Sequence, residues 1–200
     1  MTAKVTVLDF GLGNLRSVAK ALERAGASVD VSPAVDDAAD AIVVPGQGHF
    51  GSCVNNLGAR LDDVRAWIAD GRPYLGICLG LQVLFDRSEE SPEPGAAIFR
   101  GDVVRLRGGD GVKVPQIGWN EVVPRTGARL FSGIDPGTRF YFVHSYYPVP
   151  RDDEVIAATT DYGVSFCCAA ERDNVFATQF HPEKSGDAGA ALLKNFVGLL

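Results

Sequence analysis

The chain has 200 residues, 46% of them hydrophobic and 22% charged, and a formal net charge of -6. This is the composition of an ordinary globular chain, long enough for one sizeable domain over residues 1–200 and too apolar for a disordered one. The acidic balance argues against nucleic acid or an anionic membrane as a partner, and no apolar run approaches the ~20 residues of a membrane span.

The first strand is expected at Val5 to Leu8. The run Lys4-Val5-Thr6-Val7-Leu8 is too short for the apolar core of an export signal and meets Asp9 at once, so a cytoplasmic setting is expected, with the four cysteines reduced. No cysteine and histidine spacing typical of zinc is present, and no metal is expected. After the turn-rich Asp9-Phe10-Gly11-Leu12-Gly13, Asn14 is placed to cap a helix with Leu15, Val18, Ala19 and Leu22 on one face, closed by Gly26. A second strand, Ala27 to Val31, completes a βαβ unit of a parallel sheet.

A third strand, Ala41 to Val44, stops at Pro45-Gly46-Gln47-Gly48. A helix near Leu61 to Ala69 leads into a strand at Tyr74 to Ile77. Three strands therefore end in unusual loops, at Phe10, Pro45 and Cys78. In an open parallel sheet those ends share one rim, where ligands bind. The second half changes character. A polar linker, Ser88 to Gly95, precedes short strands at Phe99 to Leu106, Lys113 to Val123, Arg139 to Tyr147 and Glu154 to Thr159. A hairpin over Ser165 to Phe180 turns at Arg172-Asp173-Asn174, and a last helix spans Ala188 to Leu200. The basic stretch Arg100 to Lys113, broken by Gly108-Gly109-Asp110-Gly111, reads as a solvated hairpin. The expected fold is α/β: a mixed, mostly parallel sheet flanked by helices, with an antiparallel extension.

The chemistry centres on Gly76-Ile77-Cys78-Leu79-Gly80. A strand that turns abruptly into a helix needs flanking residues without bulk, which makes the residue at the apex a candidate nucleophile. Here the apex is a thiol, and a helix N-terminus favours its thiolate. A buried cysteine in a glycine-rich turn is the plainer reading of these five residues taken alone. A nucleophilic thiol needs a base, and the chain has three histidines, His49, His144 and His181. The last lies in Gln179-Phe180-His181-Pro182-Glu183-Lys184. The proline biases His181 to an extended conformation, from which Glu183 can accept a hydrogen bond from the imidazole and fix its tautomer. The backbone N–H of Leu79 and the Gly46-Gln47-Gly48 loop are candidate donors to an oxyanion.

Together, Gly-x-Cys-x-Gly followed by Leu81-Gln82, the upstream Pro-Gly-x-Gly loop and the downstream Gln-Phe-His-Pro-Glu resemble the class I glutamine amidotransferases, a flavodoxin-like fold, along nearly the whole chain. Within that family, Pro45 to Gly51, Pro115 to Glu121, Phe142 to Tyr147 and His181 to Ser185 are similar to the glutaminase subunits of imidazole glycerol phosphate synthase. The resemblance implies a triad of Cys78, His181 and Glu183, and oxyanion N–H groups at Gln47 and Leu79. It also implies that Gly46, Gly48, Gln82, His144, Ser145 and Tyr146 hold glutamine. Gln47 stands where valine is common, and Phe10 where tyrosine is common. No cofactor is implied. The implied partner is a (β/α)8-barrel cyclase, forming a heterodimer in which ammonia released from glutamine is used to make imidazole glycerol phosphate and an aminoimidazole carboxamide ribonucleotide in histidine biosynthesis. Phe10, Asn14, Trp119 and Lys184, in loops at the rim, are the candidate docking residues. The competing readings are a glutaminase subunit of another synthase, of pyridoxal phosphate or anthranilate, and a non-catalytic binding protein of the same fold.

Overall fold

The computed structural model describes residues 2–109 and 111–200. Its first part alternates β1 (Lys4–Leu8), α1 (Leu15–Arg24), β2 (Ser28–Ser32), β3 (Ala41–Gly46), α2 (Phe50–Leu57), α3 (Arg60–Ala69), β4 (Tyr74–Cys78) and a single turn, α4 (Leu79–Gln82). Strands then dominate: β5 (Arg87–Ser88), β6 (Gly101–Arg105), β7 (Gln116–Pro124), β8 (Thr138–His144), β9 (Tyr146–Pro150), β10 (Ile156–Asp161), β11 (Ser165–Arg172) and β12 (Val175–Thr178), before the closing helix α5 (Gly186–Gly198).

Among the described residues, nine strands form one sheet in the order β2-β1-β3-β4-β12-β11-β10-β7-β8. The first five run parallel, and the last four continue the sheet antiparallel. β3 and β4 are buried along their whole length, because helices cover both faces, and they read as unbroken apolar runs. One core layer lies under α1 and α5, with Val18, Leu22, Leu192, Leu193 and Phe196 against Val5, Val7, Val43 and Leu75. The other lies under α2 and α3, with Leu57, Leu61, Val64 and Trp67 against Ile42, Val44 and Tyr74. Neighbouring cysteines show the alternation of the pleat: Cys168 belongs to the first layer and Cys167 to the second.

The parallel block sets the positions of the candidate site residues. β4 is flanked by β3 on one side, with Gly46 paired to Cys78, and by β12 on the other, with Thr178 paired to Ile77. The loop after Pro45, the apex Cys78 and the His181 segment therefore leave the sheet side by side.

Several expectations are corrected. β3 does not stop at Pro45 but runs through Gly46. Helix α2 was not anticipated, since Gly51, Ser52, Asn55 and Asn56 are poor helix formers; its visible signal is His49, whose Nδ1 caps it by accepting from Gly51 N–H at 3.1 Å. The Ser88 to Gly95 stretch is not a free linker. It docks on α2 and α3, with Glu90 accepting from Phe50 N–H at 2.7 Å and Arg65 donating to the Gly95 and Ala96 carbonyls. The single strand expected over Arg139 to Tyr147 breaks at Ser145 into β8 and β9, which join different sheets. The expected solvated hairpin over Arg100 to Lys113 is in part β6, whose Val103 is buried in a small sheet with β5 and β9; Asp110 lies outside the described residues.

Phe180 ties the antiparallel block to the His181 segment: its ring lies 4.3 Å from Phe140 and meets Phe131 and Phe142 edge-on. Phe180→Ala empties a site with no solvent exposure, and the expected loss is about 3–5 kcal/mol. A denaturant midpoint that falls with little change of slope is the expected result; an unmoved midpoint would contradict this packing.

Candidate active site

The elbow is built from interlocking glycines. A Cβ on Gly76 would overlap the Gly80 carbonyl, and one on Gly80 would overlap the Val44 carbonyl of β3. A Cβ on Gly46 would stand 2.6 Å from that of Leu79. With nothing at these three positions, the chain passes from β4 into α4 with Cys78 at φ 58°, ψ -102°, a conformation a side-chain-bearing residue adopts only when its surroundings enforce it. Tyr74, deep in the same strand, holds the turn by donating its hydroxyl to the Gly80 carbonyl at 2.7 Å. The helix that follows is only four residues long, so its dipole is smaller than the sequence suggests.

His181 follows β12 in extended backbone and is almost fully buried. Glu183 meets it from a 3-10 turn, Pro182–Lys184, rather than from the continued strand the proline suggested, and its Oε1 lies 2.8 Å from His181 Nδ1. Burial opposes protonation of this imidazole. The neighbouring Cys78 sulfur and the Glu183 carboxylate outweigh it, and the His181 pKa is pushed up to about 9. Nε2 makes no aligned hydrogen bond, so the sulfur and the ring are neighbours rather than bonded partners. Ser185 fixes the segment, with its hydroxyl donating to the His181 carbonyl at 2.7 Å while accepting from Tyr141 N–H.

Cys78 opens into a cavity of about 340 Å³ whose lining includes Gln47, Gly48, Leu79, Gln82, Ser145 and Tyr146. His144 also lines it, but its ring is committed elsewhere. Nδ1 bonds the Tyr146 carbonyl and Nε2 lies 2.9 Å from the Gln116 amide. Burial lowers its pKa to about 4, with the nearby His181 adding to the fall, so the ring is a neutral brace for the turn at Ser145. Gly46 stands behind the pocket, packed on Leu79.

The candidate docking residues divide. Phe10 is only 4% exposed, its ring inside the second core layer, which corrects the expectation that it projects from the rim. Asn14 is exposed and caps α1 by accepting from Ser17 N–H. Trp119 is 54% exposed and Lys184 lines the pocket mouth. Two further residues belong to the site. Glu90 lines the cavity while holding α2, and buried Gln179 places its amide nitrogen 3.6 Å from Cys78 Sγ. Gln179 does lie in the same hexapeptide as His181 and Glu183; for Glu90 no local signal exists.

Residues 6–199 match the glutamine amidotransferase class-I family, and the chain belongs to it. Among its relatives, an imidazole glycerol phosphate synthase subunit HisH of Syntrophotalea carbinolica is 49% identical over 202 residues, covering 96% of this chain and 98% of that one. A HisH subunit of Thermococcus kodakarensis is 50% identical over 198 residues, with 96% and 98% covered. Such similarity over nearly full length sets the chain among the HisH subunits. PurLQS from Thermotoga maritima, 17% identical with a TM-score of 0.75 over 100% of this chain and 99% of that one, shares the fold.

The His181 pair has a pH signature. The stability that protonated His181 contributes is complete below its ordinary value of 6.5 and is lost as pH rises through about 9. Glu183→Gln removes one of the two supports, so the imidazole's titration, followed by NMR, should move down from about 9 toward 6.5. A titration unmoved by the substitution would show that Glu183 does not support the charged imidazole.

Proposed function

We propose that this chain is the glutaminase subunit of an imidazole glycerol phosphate synthase, acting through Cys78, His181 and Glu183. One observation carries the reading: adjacent parallel strands β3, β4 and β12 bring the Gly46 to Gly48 loop, the strained Cys78 and the His181–Glu183 pair to one side of the sheet. The Cys78 thiolate attacks the side-chain amide carbon of glutamine. Backbone N–H groups of Gln47 and Leu79 receive the negative oxygen, His181 protonates the departing ammonia, and water activated by His181 then hydrolyses the γ-glutamyl thioester to glutamate. Gly48, Gln82, Ser145 and Tyr146 form the glutamine pocket. Glu90 and Lys184 give its lining one charge of each sign, which suits a zwitterionic amino acid. The HisH relatives favour this synthase over those of pyridoxal phosphate or anthranilate, and the presence of Cys78, His181 and Glu183 supports a catalytic role over a non-catalytic one.

In neutral water ammonia is mostly ammonium and no longer a nucleophile, so its consumer must receive it away from bulk solvent. The partner is a (β/α)8-barrel cyclase in a cytoplasmic heterodimer. Its docking face is the outward side of β7 and β8, where Ile117 is paired with Val143 and Trp119 with Tyr141. Ile117 and Trp119 are 63% and 54% exposed, while Tyr141, Val143 and Lys184 line the pocket mouth. An apolar strip running up to a reactive thiol is the kind of surface a partner covers.

With the cyclase present, Cys78→Ala should abolish glutamine-dependent synthesis and leave ammonia-dependent synthesis intact; persisting glutamine hydrolysis would end the proposal. Trp119→Ala should raise the dissociation constant of the complex roughly 10- to 100-fold by calorimetry, as loss of an aromatic anchor does. An unchanged constant would move the interface elsewhere.

A further inference from the structure

Gln179 has no solvent exposure, lies two residues before the catalytic base, and takes no part in the triad chemistry. A buried amide is costly unless its donors and acceptor are met, so its partners are informative. They form a directed chain. The Tyr146 carbonyl can only accept, so the Gln82 amide 3.0 Å away turns its NH2 group toward it. The same NH2 group donates to Gln179 Oε1, also at 3.0 Å. The oxygen end of Gln179 is thereby fixed toward Gln82, and its NH2 end must face the other way, where Cys78 Sγ lies at 3.6 Å. Its backbone N–H, donating to the Cys168 carbonyl at 2.8 Å, fixes the root of the side chain.

We propose that Gln179 is a positioning residue for the nucleophile: its amide N–H holds the Cys78 sulfur in place and favours the thiolate, in an orientation dictated by Gln82. An NH2 group offers the sulfur a donor and no acceptor, so it stabilises the anion more than the thiol. Because Gln82 lines the glutamine cavity, the chain from Tyr146 through Gln82 and Gln179 to Cys78 links the pocket wall to the attacking atom. The other titratable groups around this sulfur are His181 with Glu183 behind it, Cys53 of α2, and Glu90, Tyr141, His144, Tyr146 and Lys184 of the pocket lining. This inference rests on Cys78 being the glutaminase nucleophile.

The test uses the full chain with Gln179→Leu and Gln179→Met, both close in size and without a donor. Two measurements are made: the pH dependence of Cys78 alkylation by iodoacetamide, with the modified residue identified by peptide mass, and glutamine kcat and KM in the complex with the cyclase. The alkylation midpoint should rise by about one pH unit, and kcat should fall roughly 10- to 100-fold while KM changes less, the size of a lost hydrogen bond to a charged group. An unmoved midpoint in either folded variant overturns the proposal, even where turnover falls, since Gln179 would then act only on the pocket through Gln82. Alkylation does not require glutamine hydrolysis, so this result is separate from that of Cys78→Ala. Should the leucine variant fail to fold, the more adaptable methionine variant decides alone.

Discussion

The structure depends on one constraint, the parallel seating of β4 between β3 and β12. Cys78 is at position 78 and His181 at position 181, yet the register that pairs Thr178 with Ile77 makes their strand ends neighbours. The same strand's other edge pairs Gly46 with Cys78, which brings the loop toward the thiol from the opposite side. Backbone ladders fix these relations, so the side chains of the site have little translational freedom left to lose. The two core layers, one on each face, then hold the ladders in register, because a slip by one residue would send each side chain into the opposite layer, whose packing is shaped for another.

Two buried histidines sit in this region and burial opposes the charged form of each, but their fates differ. His181 has a carboxylate and a sulfur as neighbours, and its pKa rises to about 9. His144 has a carbonyl and an amide, neither of which can hold a positive charge as a carboxylate does, and its pKa falls to about 4. One fold therefore keeps an imidazole suited to proton transfer beside another suited to bracing a turn. Partner chemistry, more than depth, separates the two roles.

The parallel half was legible because its signals are local: apolar runs buried on both faces, Asn14 as a cap, and glycines flanking the apex. Cys78, His181 and Glu183 stood out as candidates for the same reason, since Gly-x-Cys-x-Gly and His-Pro-Glu are short patterns set by steric and hydrogen-bonding needs. What was missed depends on distant partners. Glu90 matters because it reaches Phe50, 40 positions earlier in the chain, and Gln179 because it reaches Gln82 and Cys78, both about a hundred positions earlier. The break at Ser145 was hidden because the residues on both sides are good strand formers, and only sheet membership separates them. Phe10 looked like a rim residue from its place after a strand, but its ring turns back into the core.

The glycine lattice at positions 46, 76 and 80 has a bearing on engineering. The packing behind Cys78 has no room for one more carbon atom at these positions, so any library that varies them will lose its members to steric failure of the turn before chemistry is sampled. Diversity belongs on the residues that line the cavity itself, such as Ser145, Tyr146 and Glu90.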